Sequence, residues 1–530
     1  MQKGKNTAFL KGTLSLSVAV IATKILGVAF KVPLSYVLGD EGMGYFNTAY
    51  AIYGFFYILC TAGVPKSLTL VISEYRNRDG TRDGDREILV CALRFFFKIG
   101  IFSTLFNIIC APALAMAVGN KGAMPSIAAI APSMLFVSMS ASLRGYLNSE
   151  EKLGTIAVSQ FIEGAVKLAL GLALALLGVY INASVVMISA LAISGITIGS
   201  LISFAYMMLV SFSLKINYNT RQNPQYPRKV IRQRILKNAI PIALSSALLN
   251  LSSILDLAII IKRLVASGMS ESYANSIYGN YTTLAVPMFN LVISVLAPIA
   301  MSYMPRLAQM HLNGDTDRFS EALNRLLLIT LVISVPASLS FYFYSFDLLD
   351  VLFSLQSSAL GSPMLIALSF GLCFLASLTV INTALESQRR IIATVISLLI
   401  GSAVKLAVSY LLIGRGEIGI LGAPVGTVIS YAISLAISLY LLEGSGVRIY
   451  AMLKLCAFYI LGLLAFLPPY ILIYSNSLAG TSFASMVVSI FISLFAYSFL
   501  LSLVYAIVKL LKVFKLHKKE QSPLAERPKN

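Results

Sequence analysis

Charge is what this sequence has least of. Only 12% of its 530 residues are Asp, Glu, Lys or Arg, against roughly 25% in an ordinary soluble domain. A chain this long cannot cover a water-facing surface with so few charges, which excludes an ordinary soluble protein. Histidine is nearly absent, with His311 and His517 in expected loop or tail positions. The five cysteines, Cys60, Cys91, Cys110, Cys373 and Cys456, all sit inside apolar runs and form no CxxC pair. That leaves no zinc or haem spacing, and the cysteines read as small apolar side chains. No nucleophile–base or metal constellation is visible, so neither an enzyme nor a cofactor is expected. Carboxylates are the scarcer charge, 22 acidic residues against 41 basic ones, for a net charge of +19. A nucleic-acid binder would gather such an excess on one face among aromatics. Here the basic residues fall in short gaps between apolar runs, which argues for membrane orientation and against nucleic acid.

Long apolar runs dominate what remains, since 58% of the chain is hydrophobic. Crossing a bilayer takes about 20 residues of helix, and the runs Leu326–Phe343 and Met486–Val508 carry no charge at all. The pattern predicts an all-α polytopic membrane protein of about fourteen helices. The expected spans are 12–37, 46–73, 90–118, 124–147, 154–180, 184–212, 239–266, 278–304, 323–345, 363–385, 391–413, 420–442, 451–474 and 484–510. The first run is long enough to span and has no short apolar region followed by a small-residue cleavage site, so it is expected to be a span and not a cleaved leader.

Lysine and arginine in the gaps set the expected direction. With both termini in the cytoplasm, the inside gaps hold Arg76, Arg78, Arg82 and Arg86, then Arg144 and Lys152, then a dense group from Lys215 to Lys237. Outside gaps hold little beyond Lys121, Arg415 and the span-end pair Lys262–Arg263, and several are acidic, such as Asp40–Glu41.

The chain also repeats itself. Tyr45-x-Asn47 with Pro65 recurs as Tyr278-x-Asn280 with Pro298, and Ala165-Val166-Lys167-Leu168-Ala169 recurs as Ala403-Val404-Lys405-Leu406-Ala407. Gly195-x-x-x-Gly199 is matched by Gly422-x-x-x-Gly426, and Leu10-Lys11 by Leu236-Lys237. The matches keep one order and nearly one offset. Each copy covers six spans, an even number, so the copies are parallel and related by an axis along the membrane normal. The expected organisation is an N-terminal lobe (1–212), a basic cytoplasmic linker (213–238), a second lobe (239–443), two added spans (444–510) and a basic tail (511–530). A cavity between the lobes is the natural transport path. The paired glycines read first as close helix packing.

Charges inside the spans are the candidate functional residues, because a Lys or Arg at the bilayer centre costs at least about 2.5–3.5 kcal/mol. Lys24 and Lys31 share a face of span one, Lys66 follows the Gly63-Val64-Pro65 break, and Lys167 and Lys405 are repeat-related. Arg94 and Lys98 lie early in span three, where they can snorkel to the headgroups. The acidic set is Glu163, one turn before Lys167 and able to neutralise it, and Asp256 in span seven. Lys405 has no acidic residue one turn away and needs a partner from another helix or from a ligand. The lysine excess of the first lobe suits an anion such as a diphosphate.

The runs Leu143-Arg144-Gly145-Tyr146-Leu147 and Ser159-Gln160-Phe161-Ile162-Glu163 resemble the stage V sporulation protein B branch of the MOP exporter superfamily, which also holds MurJ-like lipid II flippases and MATE drug antiporters. Thr23-Lys24-Ile25-Leu26-Gly27, Gly39-Asp40-Glu41-Gly42-x-Gly44 and Gly63-Val64-Pro65-Lys66-Ser67 extend the resemblance over nearly the whole chain. It implies a multi-pass flippase of a bacterial plasma membrane. The substrate it implies is an undecaprenyl-pyrophosphate-linked saccharide, lipid II or a related polysaccharide unit. It also implies a lipid-tail groove along the two added spans. The sequence departs from the MurJ-like pattern in carrying Lys24 for an Arg, and in following Asp256 with Leu257 where that pattern has an Arg. Both departures favour the sporulation-protein or general polysaccharide branch.

The expected substrate-binding residues are Lys24, Lys31, Lys66, Lys167 and Lys405, with Glu163, Asp256 and Arg144 as charge partners in gating. A coupling ion is left open. The rivals are an ion-coupled exporter of small drugs, which makes Asp256 and Glu163 matter most, and a non-transporting scaffold for cell-wall enzymes, in which no intramembrane charge matters.

Overall fold

The structure is a computed structural model that describes residues 2–79, 83–150, 152–213, 227–442, 447–475 and 483–520; within these helices the side chains of 1–25 and of several later stretches are outside the described set. Among the described residues the chain is helical throughout, with no strand. The first half comprises α1 (Gln2–Thr61), α2 (Val64–Asp79), α3 (Asp83–Val118), α4 (Met124–Ile130), α5 (Ser133–Ser149), α6 (Leu153–Tyr180) and α7 (Val185–Ser213). The second comprises α8 (Arg228–Ala266), α9 (Glu271–Asn280), α10 (Val286–Leu312), α11 (Thr316–Phe343), α12 (Ser345–Asp350), α13 (Leu355–Ser387), α14 (Ile391–Ile413) and α15 (Gly422–Leu441). The added pair is α16 (Val447–Pro469) and α17 (Phe483–Glu520).

Eleven helices among the described residues are long and apolar enough to cross a membrane, or twelve when α4 and α5, bent by 41° across Ala131–Pro132, count as one span. The count falls short of the expected fourteen or so at two places. Expected spans one and two meet at Gly39 within α1 and are counted together, and α8 is not among the eleven. Gly39 turns α1 with φ 63°, the left-handed region that favours glycine. Residues 214–226 of the expected linker lie outside the described residues, and α8 already begins at Arg228.

Local signals fix several helix starts. Ser270, Asp315 and Ser354 each accept the backbone N–H three residues on, capping α9, α11 and α13. Between α9 and α10 the helix widens into a π-helical turn at Tyr281–Ala285, ahead of Pro287. Such widened turns displace backbone carbonyls from the regular ladder.

The repeat-related glycines do pack. A Cβ at Gly199 would come within 2.8 Å of the Glu163 carbonyl oxygen, and one at Gly426 within 3.1 Å of the Lys405 carbonyl oxygen. The same device therefore draws α7 onto α6 and α15 onto α14, at the lysine-bearing turn in each half.

The two ends of the molecule are built differently. At the end where α1 turns at Gly39, one apolar core runs through both halves, joining Phe30, Leu34 and Tyr45 to Ile260, Ile277 and Leu365. At the opposite end, where α1 breaks into α2 at Gly63, there are two separate cores. One is built on α2, α3 and α5, the other on α10, α11, α13 and α15. The first takes Ile231 and Ile235 from the start of α8, while Leu257, Ile260 and Ile261 further along α8 join the shared core. The added pair α16 and α17 packs on α11 and α13 through a fourth core, with the Tyr344 hydroxyl 2.5 Å from Ser489 Oγ.

Candidate functional site

Among the described residues, three adjoining chambers lie between the halves. The largest, about 480 Å³, is lined by Tyr50, Tyr53, Tyr57, Arg144, Gln160, Glu163, Lys167 and Asn250 among others. A second, about 260 Å³, shares Tyr50 and Lys167 with the first and adds Lys31, Phe30, Phe46 and Ser294. A third, about 180 Å³, shares Thr282, Val286 and Asn290 with the second and is lined further by Asp256, Lys405, Tyr278, Tyr281, Thr427 and Tyr431.

Lys31 is placed by the last turns of α1 before Gly39. Its ammonium donates to Asn47 Oδ1 at 3.2 Å and to the Thr282 carbonyl at 3.1 Å, in the π-helical turn of the other half. Asn47 in turn donates to Thr283 Oγ1 at 2.7 Å. The widened turn thus supplies the acceptor that holds a half-buried lysine across the interface.

Lys167 has no carboxylate partner among the described residues. Its ammonium lies 5.3 Å from the centre of the Phe30 ring and 5.0 Å from that of Tyr50. A cation over aromatic rings gains about 0.5–2 kcal/mol, and it leaves the ammonium's positive charge without a counter-ion. The neutralisation that their spacing allows between Glu163 and Lys167 does not form. Glu163 instead accepts from Arg144 Nη2 at 2.8 Å, across α6 and α5. A tertiary guanidinium has displaced the neighbour one turn away because its fork reaches the carboxylate directly.

Lys405 does find its partner on another helix: its ammonium is 2.7 Å from Asp256 Oδ2 on α8. The other carboxylate oxygen, Asp256 Oδ1, is buried with no hydrogen-bond partner among the described residues. The repeat-related lysines thus stand in opposite electrostatic situations. Lys405 is neutralised, whereas Lys167 remains available.

Lys66 lies exposed at the start of α2, outside the three chambers, where its field reaches Glu386 at the end of α13. The side chain of Lys24 lies outside the described residues. Arg94 and Lys98 are exposed, as snorkelling requires. The chambers therefore bring together Lys31, Lys167, Arg144 and Glu163 on one side and Asp256 and Lys405 on the other. Among the described residues, the lining of the second chamber holds two ammonium groups and no carboxylate.

Sequence reasoning missed the tyrosines Tyr50, Tyr53 and Tyr57, the amides Gln160 and Asn250, and the Asn47–Thr283 tie. The tyrosines recur at helical spacing on α1, a pattern that any buried helix face produces.

At the Gly39 end the halves close tightly. A Cβ at Gly279 would come within 2.8 Å of the Gly44 nitrogen, and Asn275 Nδ2 donates to the Glu41 carbonyl at 2.8 Å. Ser357 Oγ donates to Asp40 Oδ1 at 2.6 Å, and Asn120 Nδ2 to Asn275 Oδ1 at 2.6 Å.

A many-helix bundle whose charged chambers lie between two repeat-related halves is the architecture of a membrane transporter. Comparison with known proteins narrows the class. The family model described as "Polysaccharide biosynthesis protein" matches residues 9–311, and the MatE model matches residues 241–411. The chain belongs to the polysaccharide biosynthesis protein family. It is 24% identical to stage V sporulation protein B of Bacillus subtilis (strain 168) over 432 residues, covering 79% of this chain and 80% of that one. It is 21% identical to the lipid II flippase MurJ of the same organism over 448 residues, covering 81% of each. Its fold matches a lipid II flippase MurJ in an inward closed conformation with a TM-score of 0.72 and 17% identity, over 93% of this chain and 99% of that one. It is a multi-pass protein of a bacterial membrane.

Proposed function

We propose that this protein is a flippase that carries a polyprenyl-pyrophosphate-linked saccharide across the bacterial plasma membrane by alternating access. The observation that carries this reading is the second chamber, where Lys31 and Lys167 stand at the interface between the halves with no carboxylate among the described residues of the lining. Two half-buried ammonium groups side by side attract an anion, and a pyrophosphate offers several acceptor oxygens for charge-assisted hydrogen bonds. The names of the relatives, a lipid II flippase among them, support a lipid-linked substrate.

In the orientation read from the gaps, with both termini cytoplasmic, the tightly closed Gly39 end faces outward. The Gly63 end, where the two cores are separate, faces the cytoplasm and admits the headgroup. Pyrophosphate competes for Lys31 and so releases the Thr282 carbonyl, which loosens one tie holding the outer end shut. The prenyl tail stays in lipid, beside α16 and α17. Lys24 and Lys66 serve the entry path, and Lys405 binds only when Asp256 yields it. An ion-coupled drug exporter is favoured by one observation, the buried free oxygen of Asp256, but Lys405 already neutralises that carboxylate.

The test is growth of a host depleted of its essential lipid II flippase. Rescue by the wild type, lost in well-expressed Lys31→Ala and Lys167→Ala variants, is expected. Rescue that persists in both variants would overturn the cationic site.

A further inference from the structure

The chambers differ in chemistry as well as in volume, and the difference bears on the part of the substrate beyond its phosphates. The second chamber is an anion site. The first, about 480 Å³, has a different lining: Tyr50, Tyr53 and Tyr57 along α1, the amides of Gln160 and Asn250, and the Arg144–Glu163 pair. Amides and a guanidinium–carboxylate pair offer donors and acceptors in both senses, which suits a ligand rich in hydroxyl and acetamido groups. An apolar drug would leave them unpaired, and such unpaired groups penalise binding.

The tyrosines form a continuous ladder. The ring of Phe46 stacks on that of Tyr50 with centroids 6.2 Å apart and planes inclined 12°. Tyr50 and Tyr53 follow at 5.9 Å, and Tyr53 and Tyr57 at 5.5 Å. Tyr53 is buried at 7% exposure, whereas Tyr50 keeps 39% of its surface open although it stands in the interior of the bundle. Tyr50 also lines both chambers, so its ring stands at the boundary between them. The ammonium of Lys167 is drawn to that ring, 5.0 Å from its centre.

We propose that the first chamber is the saccharide subsite and that Tyr50 is its specificity residue, presenting a ring on which the first sugar stacks once pyrophosphate has drawn Lys167 away. This inference rests on the flippase reading and deepens it by assigning the sugar half of the headgroup. The exchange is favourable because a charge-assisted bond to phosphate is stronger than a cation over a ring. The face of the ring that Lys167 covers is then free only when phosphate is bound, so sugar recognition follows anion recognition. Tyr57 and Gln160 lie further along the same chamber, on the side toward Gly63, and take the more distal part of the glycan.

The experiment is a binding measurement on full-length protein purified in detergent, by native mass spectrometry. The two probes are a polyprenyl pyrophosphate without sugar and the same lipid bearing a disaccharide. The wild type is expected to bind the sugar-bearing lipid about tenfold more tightly or better, the scale of one good stacking and hydrogen-bonding contact. Tyr50→Leu should bring the two affinities to within about twofold of each other, and Tyr50→Phe, which keeps the ring, should retain the preference. A Tyr50→Leu protein that unfolds at the wild-type temperature and keeps the full preference overturns the inference. A lowered melting temperature with an unchanged preference does so too, because it marks Tyr50 as packing only. Equal binding of both probes by the wild type sinks this inference and leaves the flippase reading standing, whereas binding of neither sinks both.

Discussion

Lys31 of the first half and Thr282 of the second, 251 positions apart, are joined by a 3.1 Å hydrogen bond from ammonium to backbone carbonyl. The bond serves two ends at once. It satisfies a lysine that hydrocarbon would otherwise penalise, and it ties the halves together at the chamber where an anion would enter. Substrate and structure thus compete for one side chain.

Lys31→Met removes both the tie and a cation. A hydrogen bond to a charged group is worth about 1.5–3 kcal/mol, so flipping of a fluorescent polyprenyl-pyrophosphate saccharide in proteoliposomes should fall about tenfold or more. Lys31→Arg keeps the charge and should retain part of the rate. An unchanged rate in Lys31→Met at matched reconstitution would remove Lys31 from the substrate path.

The Asp256–Lys405 pair should behave as a buried unit. Its side chains are 9% and 22% exposed, and removing one partner of such a pair costs about 3–5 kcal/mol because the other charge is stranded. Asp256→Leu and Lys405→Met should therefore each lower the melting temperature in detergent, and the double variant should recover most of the loss. A double variant as unstable as the two single losses combined would show that the partners act separately.

Closure at the Gly39 end rests on the absence of side chains at Gly44 and Gly279. A valine at position 279 would drive its Cβ into the α1 backbone, since that atom would lie 2.8 Å from the Gly44 nitrogen. Gly279→Val is expected to wedge this end open. A Ser357→Cys thiol, placed where Ser357 now bonds Asp40, should then react with a membrane-impermeant maleimide several-fold faster than without the wedge. Equal labelling with and without the wedge would argue against the glycine contact as the seal.

Much of this organisation was legible in the sequence, though unevenly. The apolar runs indicate the helical class, because span length depends on the chain alone, and the pairing of lobes is what the repeat leads one to expect. Lys167 and Lys405 also stood out, as the same residue in the same context. Their opposite fates depend on a third helix: α8 carries Asp256, whereas the corresponding first span has no carboxylate between Met1 and Gly39. That difference was visible in the sequence but acquires meaning only once the helices are placed side by side. The Glu163–Lys167 pairing, which spacing allows, is absent for a related reason. Spacing along one helix ranks neighbours on that helix and says nothing of an arginine arriving from α5. The tyrosine ladder was hidden differently, since its helical spacing also describes an ordinary core face.

The imbalance between the halves also has an electrical side. Three cations and one carboxylate face the first-lobe chambers, while Asp256 and Lys405 cancel in the second. A pyrophosphate diester carries about two negative charges, so the loaded protein would reorient nearly charge-balanced. The empty protein returns with two uncompensated positive charges. A membrane potential, negative inside, acts on each at about 2.3 kcal/mol per 100 mV, scaled by the fraction of the field it traverses. In the proposed orientation that field pulls the empty carrier back toward the cytoplasm, so voltage would drive the reset of the cycle more than the delivery of its cargo.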